Sequence, residues 1–358
     1  MRFLAKHRRV ITLAAAAVMI ACLIFLGLKT GDVKKIKTDS SVYAGTAMGT
    51  AIKKTIYAQD SSSLDEVNNL IDKRLRDLEN QISIRVNDSE VTMFNRNHSP
   101  NGNYDLSHNI YSYLEKEMEI CEETDGAFNP CIRPLTGLWG IEEGNTNIPS
   151  EKEIKSTLEY INPDNMKLTK NGVICSEDYM LIDFGAVGKG IACDEVRTVL
   201  NESGVQGAVV SIGGSICVYG DKGDGKLWHI GIQDPRAADG EVLGIVDVPG
   251  TVTVSTSGDY EKYFEADGVR YHHILDPKTG YPADSGLISV TVISDSGFMS
   301  DALSTACFVL GLDKGMEYAN KKGVDAIFVT EDKEVYITEG LKKKFRLTGD
   351  GYRLEKYK

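Results

Sequence analysis

The residues whose types and spacing could do chemistry lie in five short stretches. In the first, an apolar pair, Leu181 and Ile182, precedes Asp183. Gly185, Gly188 and Gly190 follow, Lys189 stands between the last two, and a helical pattern begins there. Strand, acid, glycine-rich turn, cation and helix start is an order that brings main chain against a phosphate-bearing ligand. The spacing departs from both familiar phosphate loops. A Walker loop would need glycine where Asp183 stands and Ser or Thr where Gly190 stands, and the dinucleotide fingerprint runs in the opposite order. The stretch can equally be a structural turn with one solvated lysine.

The other four stretches pair hydroxyls, histidines or a carboxylate with strand ends. Ser211-Ile212-Gly213-Gly214-Ser215 puts two glycines between strands, as a β-bulge or a place where a ligand approaches. Ser255-Thr256-Ser257-Gly258-Asp259-Tyr260 reads as a hydroxyl-rich turn after a strand. His272 and His273 sit in a strand ahead of the turn Asp276-Pro277-Lys278-Thr279-Gly280, and adjacent strand residues face opposite ways, so at most one histidine faces a given site. Asp301 and Thr305, four apart on a helix, share one face. A carboxylate, hydroxyls, a lysine and an imidazole suit a hard cation, an anion and proton transfer.

Those residues need a scaffold of strands with helices between them. The patterning predicts a strand over Ala51–Ala58 and a helix from Leu64 to Leu78, with Ser63 and Glu66 as a capping box. An irregular polar stretch, Ser83–Asn97, follows, then helices over about Ser107–Glu123 and Ser150–Leu158. The second half predicts strands Val209–Ile212, Ile216–Tyr219, Trp228–Gln233, Leu243–Val248, Thr251–Ser255, Tyr271–Leu275, Leu287–Ile293, Ala326–Thr330 and Val335–Thr338. Helices fall at Gly190–Glu202, Met299–Leu310 and Asp313–Lys322. Mixed strands with segregated helices make the class α+β.

The bulk composition narrows the partners. Positions 1–37 hold eight basic residues and one acidic one; without them, 32 basic and 51 acidic side chains leave the body at −19, which disfavours nucleic acid. Seven cysteines are scattered singly, and Cys121, Cys175, Cys193, Cys217 and Cys307 read as core residues. Arg2, Lys6, Arg8 and Arg9 precede nineteen uncharged residues, Val10–Leu28, which read as a membrane anchor or signal segment. A lipoprotein reading would use Cys22. The expected organisation is an anchor over 1–28, a tether over 29–41 and a body over 42–358 at the cell membrane. The extracytoplasmic face is expected for the body, although Lys29, Lys34, Lys35 and Lys37 balance the basic start and charge alone does not fix the orientation.

The stretches occur in a recognisable order: Met48-Gly49-Thr50, DFGAVGKGIACD at 183–194, SIGGS at 211–215, STSGDYEKYF at 255–264, HHILDPKTGYPA at 272–283 and SDALSTACFVLG at 300–311. Together they resemble the FAD:protein FMN transferase family, also called ApbE, over roughly residues 43–340. The resemblance implies an ApbE-like (T-fold-like) body that moves the FMN half of FAD onto a Thr or Ser hydroxyl of an acceptor flavoprotein acting in trans, releases AMP and uses Mg²⁺. Alternatives are an FAD pyrophosphatase and a non-catalytic FAD-binding protein.

The resemblance also implies roles for residues. The metal would fall to Asp301, Thr305 and the main-chain carbonyl of Ala186, with Ser304 a lesser candidate, and Mg²⁺ prefers such oxygen ligands. Asp301 and His273 would be catalytic, His273 being the general base. FAD contacts would fall on Met48, Ala127, Phe128, Asn129, Asp183, Lys189 and Ile274, with Ser257 beside the pyrophosphate. The chain departs from the family pattern at Arg85, Asn129, Cys131, Ser211 and Ser215, all in the nucleotide pocket.

Overall fold

The computed structural model describes residues 39–170, 172–238 and 240–357. The expected anchor, 1–28, and the tether up to residue 38 lie outside the described residues. Among those described, no helix is long and apolar enough to cross a membrane.

Nine strands form the principal sheet. Their order is Asp39–Ala47, Thr50–Ala58, Gly207–Ile212, Ser215–Gly220, Val252–Gly258, Leu287–Ser294, Asp325–Thr330, Glu334–Ile337 and Arg353–Leu354. Neighbours run antiparallel except the last pair, which is parallel. Side chains alternate between two cores, as a pleated strand demands. Ala326 and Phe328 join a core with the helices Leu64–Ile82, Gly188–Glu202 and Gly297–Lys322. Ile327 and Val329 pack on the other face with Trp228, Val246 and Phe345. Those three residues belong to a three-stranded sheet of Trp228–Gln233, Val242–Val248 and Phe345–Leu347. Helices on one face and a small sheet on the other is the α+β arrangement the patterning predicts.

Several local expectations fail for identifiable reasons. The sheet starts at Asp39, so the last three residues assigned to the tether are strand, paired to Thr50–Ala58. Ser63 does not form a capping box: Asp60 accepts from the Ser62 amide and opens a short 3₁₀ turn, and the Ser63 hydroxyl donates back to the Asp60 carbonyl at 3.2 Å. The polar stretch before Asn97 contains a helix, Glu90–Asn97, capped by the Ser89 side chain at the Thr92 amide. Its buried Val91 and Phe94 are too few to make a clear stripe in so short a segment. A further helix, Arg133–Trp139, starts with Pro134 near its N-terminus and ends on the left-handed Gly140 (φ 56°).

Candidate active site

Asp183 does not follow a strand. Leu181 and Ile182 are extended but unladdered, and a side chain stands in for the missing neighbour. The Asn95 amide donates to the Ile182 carbonyl and accepts from the Ile182 N–H, both at 2.9 Å. The Asp183 N–H donates to the Pro130 carbonyl at 3.0 Å. The Asp183 carboxylate then accepts from the Gly185 N–H at 2.9 Å. Burial lifts its pKa to about 6, against the pull of that hydrogen bond and of Arg133.

Gly190, on one side of Lys189, serves helix packing. A Cβ on Gly190 would lie 2.1 Å from the Gly297 carbonyl oxygen, and one on Gly297 would lie 2.2 Å from the Gly190 carbonyl oxygen. Two helices, Gly188–Glu202 and Gly297–Lys322, therefore cross backbone to backbone. That crossing brings Asp301 to the first turn of the other helix, where Oδ2 accepts from the Gly190 N–H at 2.9 Å. The helix-start amide expected to face a ligand anion thus faces a protein carboxylate.

The remaining Asp301 oxygen, Oδ1, has only longer contacts: the Ser215 hydroxyl at 3.3 Å and Lys189 Nζ at 3.7 Å. The side chain is 2 % exposed. Asp301 in turn raises the Lys189 pKa. One turn further along the helix, the Thr305 hydroxyl lies 3.1 Å from Ser257 Oγ, and Ser304 Oγ lies 2.8 Å from the same atom. Ser257 reaches them because the strand continues through Gly258 in register with Leu287–Ser294, where a turn was expected. Ser215 follows a tight Gly213-Gly214 hairpin rather than a bulge, and its hydroxyl also bonds Ser255 at 2.9 Å.

These groups border one cleft, lined by Met48, Ala127, Phe128, Asn129, Asp183, Ala186, Lys189, Ser257, His273, Ile274 and Thr305. Asp301 lies behind it, against Lys189. Met48 and Gly49 (φ 54° and 68°) form the two-residue turn joining the first two strands, and Met48 holds a left-handed backbone that is costly without glycine. Asn129 is committed to the fold: its amide donates to the Ile161 carbonyl and its oxygen accepts from the Cys131 N–H, both at 2.8 Å.

The two histidines separate, His272 ending a strand and His273 lying beyond it. The strand is Val269–His272 and stops short of the expected Leu275. His273 lines the cleft just beyond it. His272 is buried edge-on against Phe308, with Nε2 3.2 Å from the Ala283 carbonyl oxygen. Burial lowers the pKa of His273 to about 4. All the described cysteines are buried and free, Cys131 included, and burial raises their pKa.

Three charged residues at the cleft escaped the functional reading. Arg85 stands only as a departure from the family pattern, Lys262 lies within the STSGDYEKYF stretch without an assigned role, and Glu142 belongs to no motif. Arg85 Nη2 and Lys262 Nζ donate to the two oxygens of Glu142 at 2.6 and 2.9 Å. Their positions, far apart in sequence, offered no spacing to notice.

A hard cation fits the donor chemistry. Asp301 presents a buried oxygen with only long contacts, the Ser215 hydroxyl is 3.3 Å from it, and Ala186 and Thr305 line the adjoining cleft. Among the described residues no group of three or more His, Cys, Asp or Glu could hold a metal, so a cation here would draw on hydroxyl and main-chain oxygens.

The ApbE family model matches residues 48–328. A Klebsiella pneumoniae FAD:protein FMN transferase is 33 % identical over 88 % of this chain and 98 % of its own length. The FAD:protein FMN transferase of Treponema pallidum is 30 % identical over 87 % and 91 %. The crystal structure of the Thermotoga maritima ApbE protein superposes with a TM-score of 0.76 at 31 % identity, covering 84 % of this chain and 98 % of that one. The Vibrio cholerae flavin transferase ApbE gives 0.77 at 27 % identity, covering 86 % and 100 %. With a matching model over most of its length and such relatives across nearly all of theirs, this chain belongs to the ApbE family.

Proposed function

We propose that the protein is an FAD:protein FMN transferase that joins the FMN moiety of FAD to a Thr or Ser hydroxyl of an acceptor flavoprotein. The observation that carries this reading is the convergence of Lys189, Ser257 and Thr305, with Asp301 against Lys189, at one cleft that His273 also lines. Asp301, Thr305 and the Ala186 carbonyl would hold Mg²⁺, with Ser304 able to support them. When bound, Mg²⁺ offsets negative charge building on the diphosphate. Lys189 adds a cation on the same side, and the apolar residues Met48, Phe128 and Ile274 give flat rings a surface to lie on.

In the transfer, the acceptor oxygen bonds to the FMN phosphorus and the phosphorus–oxygen bond of the diphosphate bridge breaks. AMP leaves with that bridging oxygen, and the hydroxyl proton passes to the neutral imidazole of His273. A histidine with a lowered pKa is unprotonated at neutral pH and ready to accept. Water in place of the acceptor would make the protein an FAD pyrophosphatase, and a pure FAD binder would need no base beside the cleft.

The soluble body incubated with FAD, Mg²⁺ and an acceptor is expected to yield a heavier acceptor and free AMP. AMP alone points to hydrolysis, and neither product refutes both enzymatic readings. His273→Ala lowers turnover while keeping FAD binding; an equal loss in His272→Ala would place the base on the wrong ring. We further propose an extracytoplasmic, membrane-anchored location, supported by the uncharged run Val10–Leu28 after its basic start. The mass of the protein purified from membranes tests it by showing whether residues 1–28 are retained.

A further inference from the structure

We infer that Glu142 is a positioning residue for His273, holding the loop that orients the imidazole and supplying a fixed negative charge beside it. The inference depends on the reading of His273 as the base and adds a residue that the family motifs carried over here do not include.

The connection runs through three loops. Arg85 follows the helix Leu64–Ile82, Glu142 lies in the 3₁₀ turn Ile141–Glu143, and Lys262 precedes the strand Tyr263–Ala266. The Glu142 carboxylate ties the other two together through the hydrogen bonds given above. The main chain of Lys262 then meets the histidine: its carbonyl accepts the His273 N–H at 3.0 Å and lies 3.3 Å from Nδ1 of the ring. A carbonyl only accepts, so that contact puts the proton of the neutral ring on Nδ1 and leaves the lone pair on Nε2. Moving Lys262 therefore moves both the backbone and the ring of the base.

The charge acts in the same direction. Burial alone would raise the Glu142 carboxyl, but Lys262, His273 and Arg85 together bring it down to about 2, so it is ionised wherever the enzyme works. Four charged or titratable groups act on the His273 ring. Glu142 raises its pKa, whereas Lys189, Lys262 and His272 join burial in lowering it. Glu142 opposes Lys189, Lys262 and His272, and without it the imidazole becomes a weaker base.

The test compares the purified protein with Glu142→Gln, Glu142→Asp, His273→Ala and the Glu142→Gln/His273→Ala double variant. In Glu142→Gln, kcat is expected to fall about tenfold, a part of the roughly 10²–10⁴ that a positioned base supplies. KM for FAD should change less than about threefold, and the acid limb of the kcat profile should move down by about one pH unit. Glu142→Asp should recover most of the limb. Nitrogen NMR of the ring at neutral pH, without substrate, should show the Nδ1–H tautomer in the parent and a mixture in Glu142→Gln. In the His273→Ala background Glu142→Gln should cost nothing further. An equal cost in both backgrounds, or an unmoved limb and tautomer, overturns the role of Glu142 and leaves the base intact. Full activity in His273→Ala overturns the base, and the proposal with it.

Discussion

Replacing Asp301 with asparagine removes one charge and almost no volume. In the folded protein the carboxylate does two things that asparagine does unequally. Oδ2 accepts from the Gly190 N–H at 2.9 Å, and an amide oxygen can keep that bond in weaker, neutral form. The difference between a charged and a neutral acceptor is about 1 kcal/mol, a drop in melting temperature of roughly 1–2 °C for a body of this size. Oδ1 faces Lys189 Nζ at 3.7 Å. At an effective dielectric near 20 that attraction is roughly 4 kcal/mol, largely offset by the desolvation of both groups. Lys189 is 27 % exposed and can turn toward the cleft, so its loss of a partner adds little.

Turnover should respond very differently. If Asp301 is the only charged ligand of the cation, its neutral substitute removes a preorganised contact to developing charge, an effect of about 10²–10³-fold in kcat. The assay is AMP release and acceptor mass gain across a Mg²⁺ titration, with a melting curve beside it. A near-normal melting curve with turnover lost and Mg²⁺ no longer saturating is the expected result. Unchanged turnover with unchanged Mg²⁺ dependence would refute the assignment.

Two further outcomes follow from the geometry around the same turn. Gly190→Ala must push its methyl into the Gly297 carbonyl and Asp301 Cβ, at 2.1 and 2.7 Å, and should cost about 3 kcal/mol or more in urea unfolding. Gly188→Ala meets its nearest neighbour, the end of Ile82, at 3.5 Å and should unfold within about 1 kcal/mol of the parent. Asp183, with its pKa raised to about 6, holds its proton in the folded state while the unfolded chain has lost it. Its effect on stability is therefore absent below the ordinary carboxylate pKa, becomes unfavourable as pH rises toward 6, and is constant above that. Asp183→Asn should flatten the pH dependence of unfolding between about 4 and 6, and an unchanged slope there would count against the raised value.

How much could be read from the sequence differs with the range of the contact. The helices Leu64–Ile82 and His108–Glu123 and most of the strands are legible, because burial repeats along each segment. The order of motifs points to the family, and most of the residues that the resemblance singles out line one cleft. Contacts between distant segments were not legible. Gly190 looked like a ligand-facing glycine, and only the crossing with Gly297 shows what its missing side chain allows. Leu181–Ile182 looked like a strand because nothing in that pair reveals that Asn95 will take the neighbour's place. The Arg85–Glu142–Lys262 bridge joins residues 57 and 120 apart in the chain, beyond any pattern a local reading can hold.

The meeting of Gly190 and Gly297 bears on how such a protein can diversify. Where two main chains touch, there is no side chain left to trim or enlarge, so gradual change has nothing to act upon. Variation must then act where side chains, not main chains, border the cleft. The crossing stays fixed by the same nearness that sets Asp301 in place.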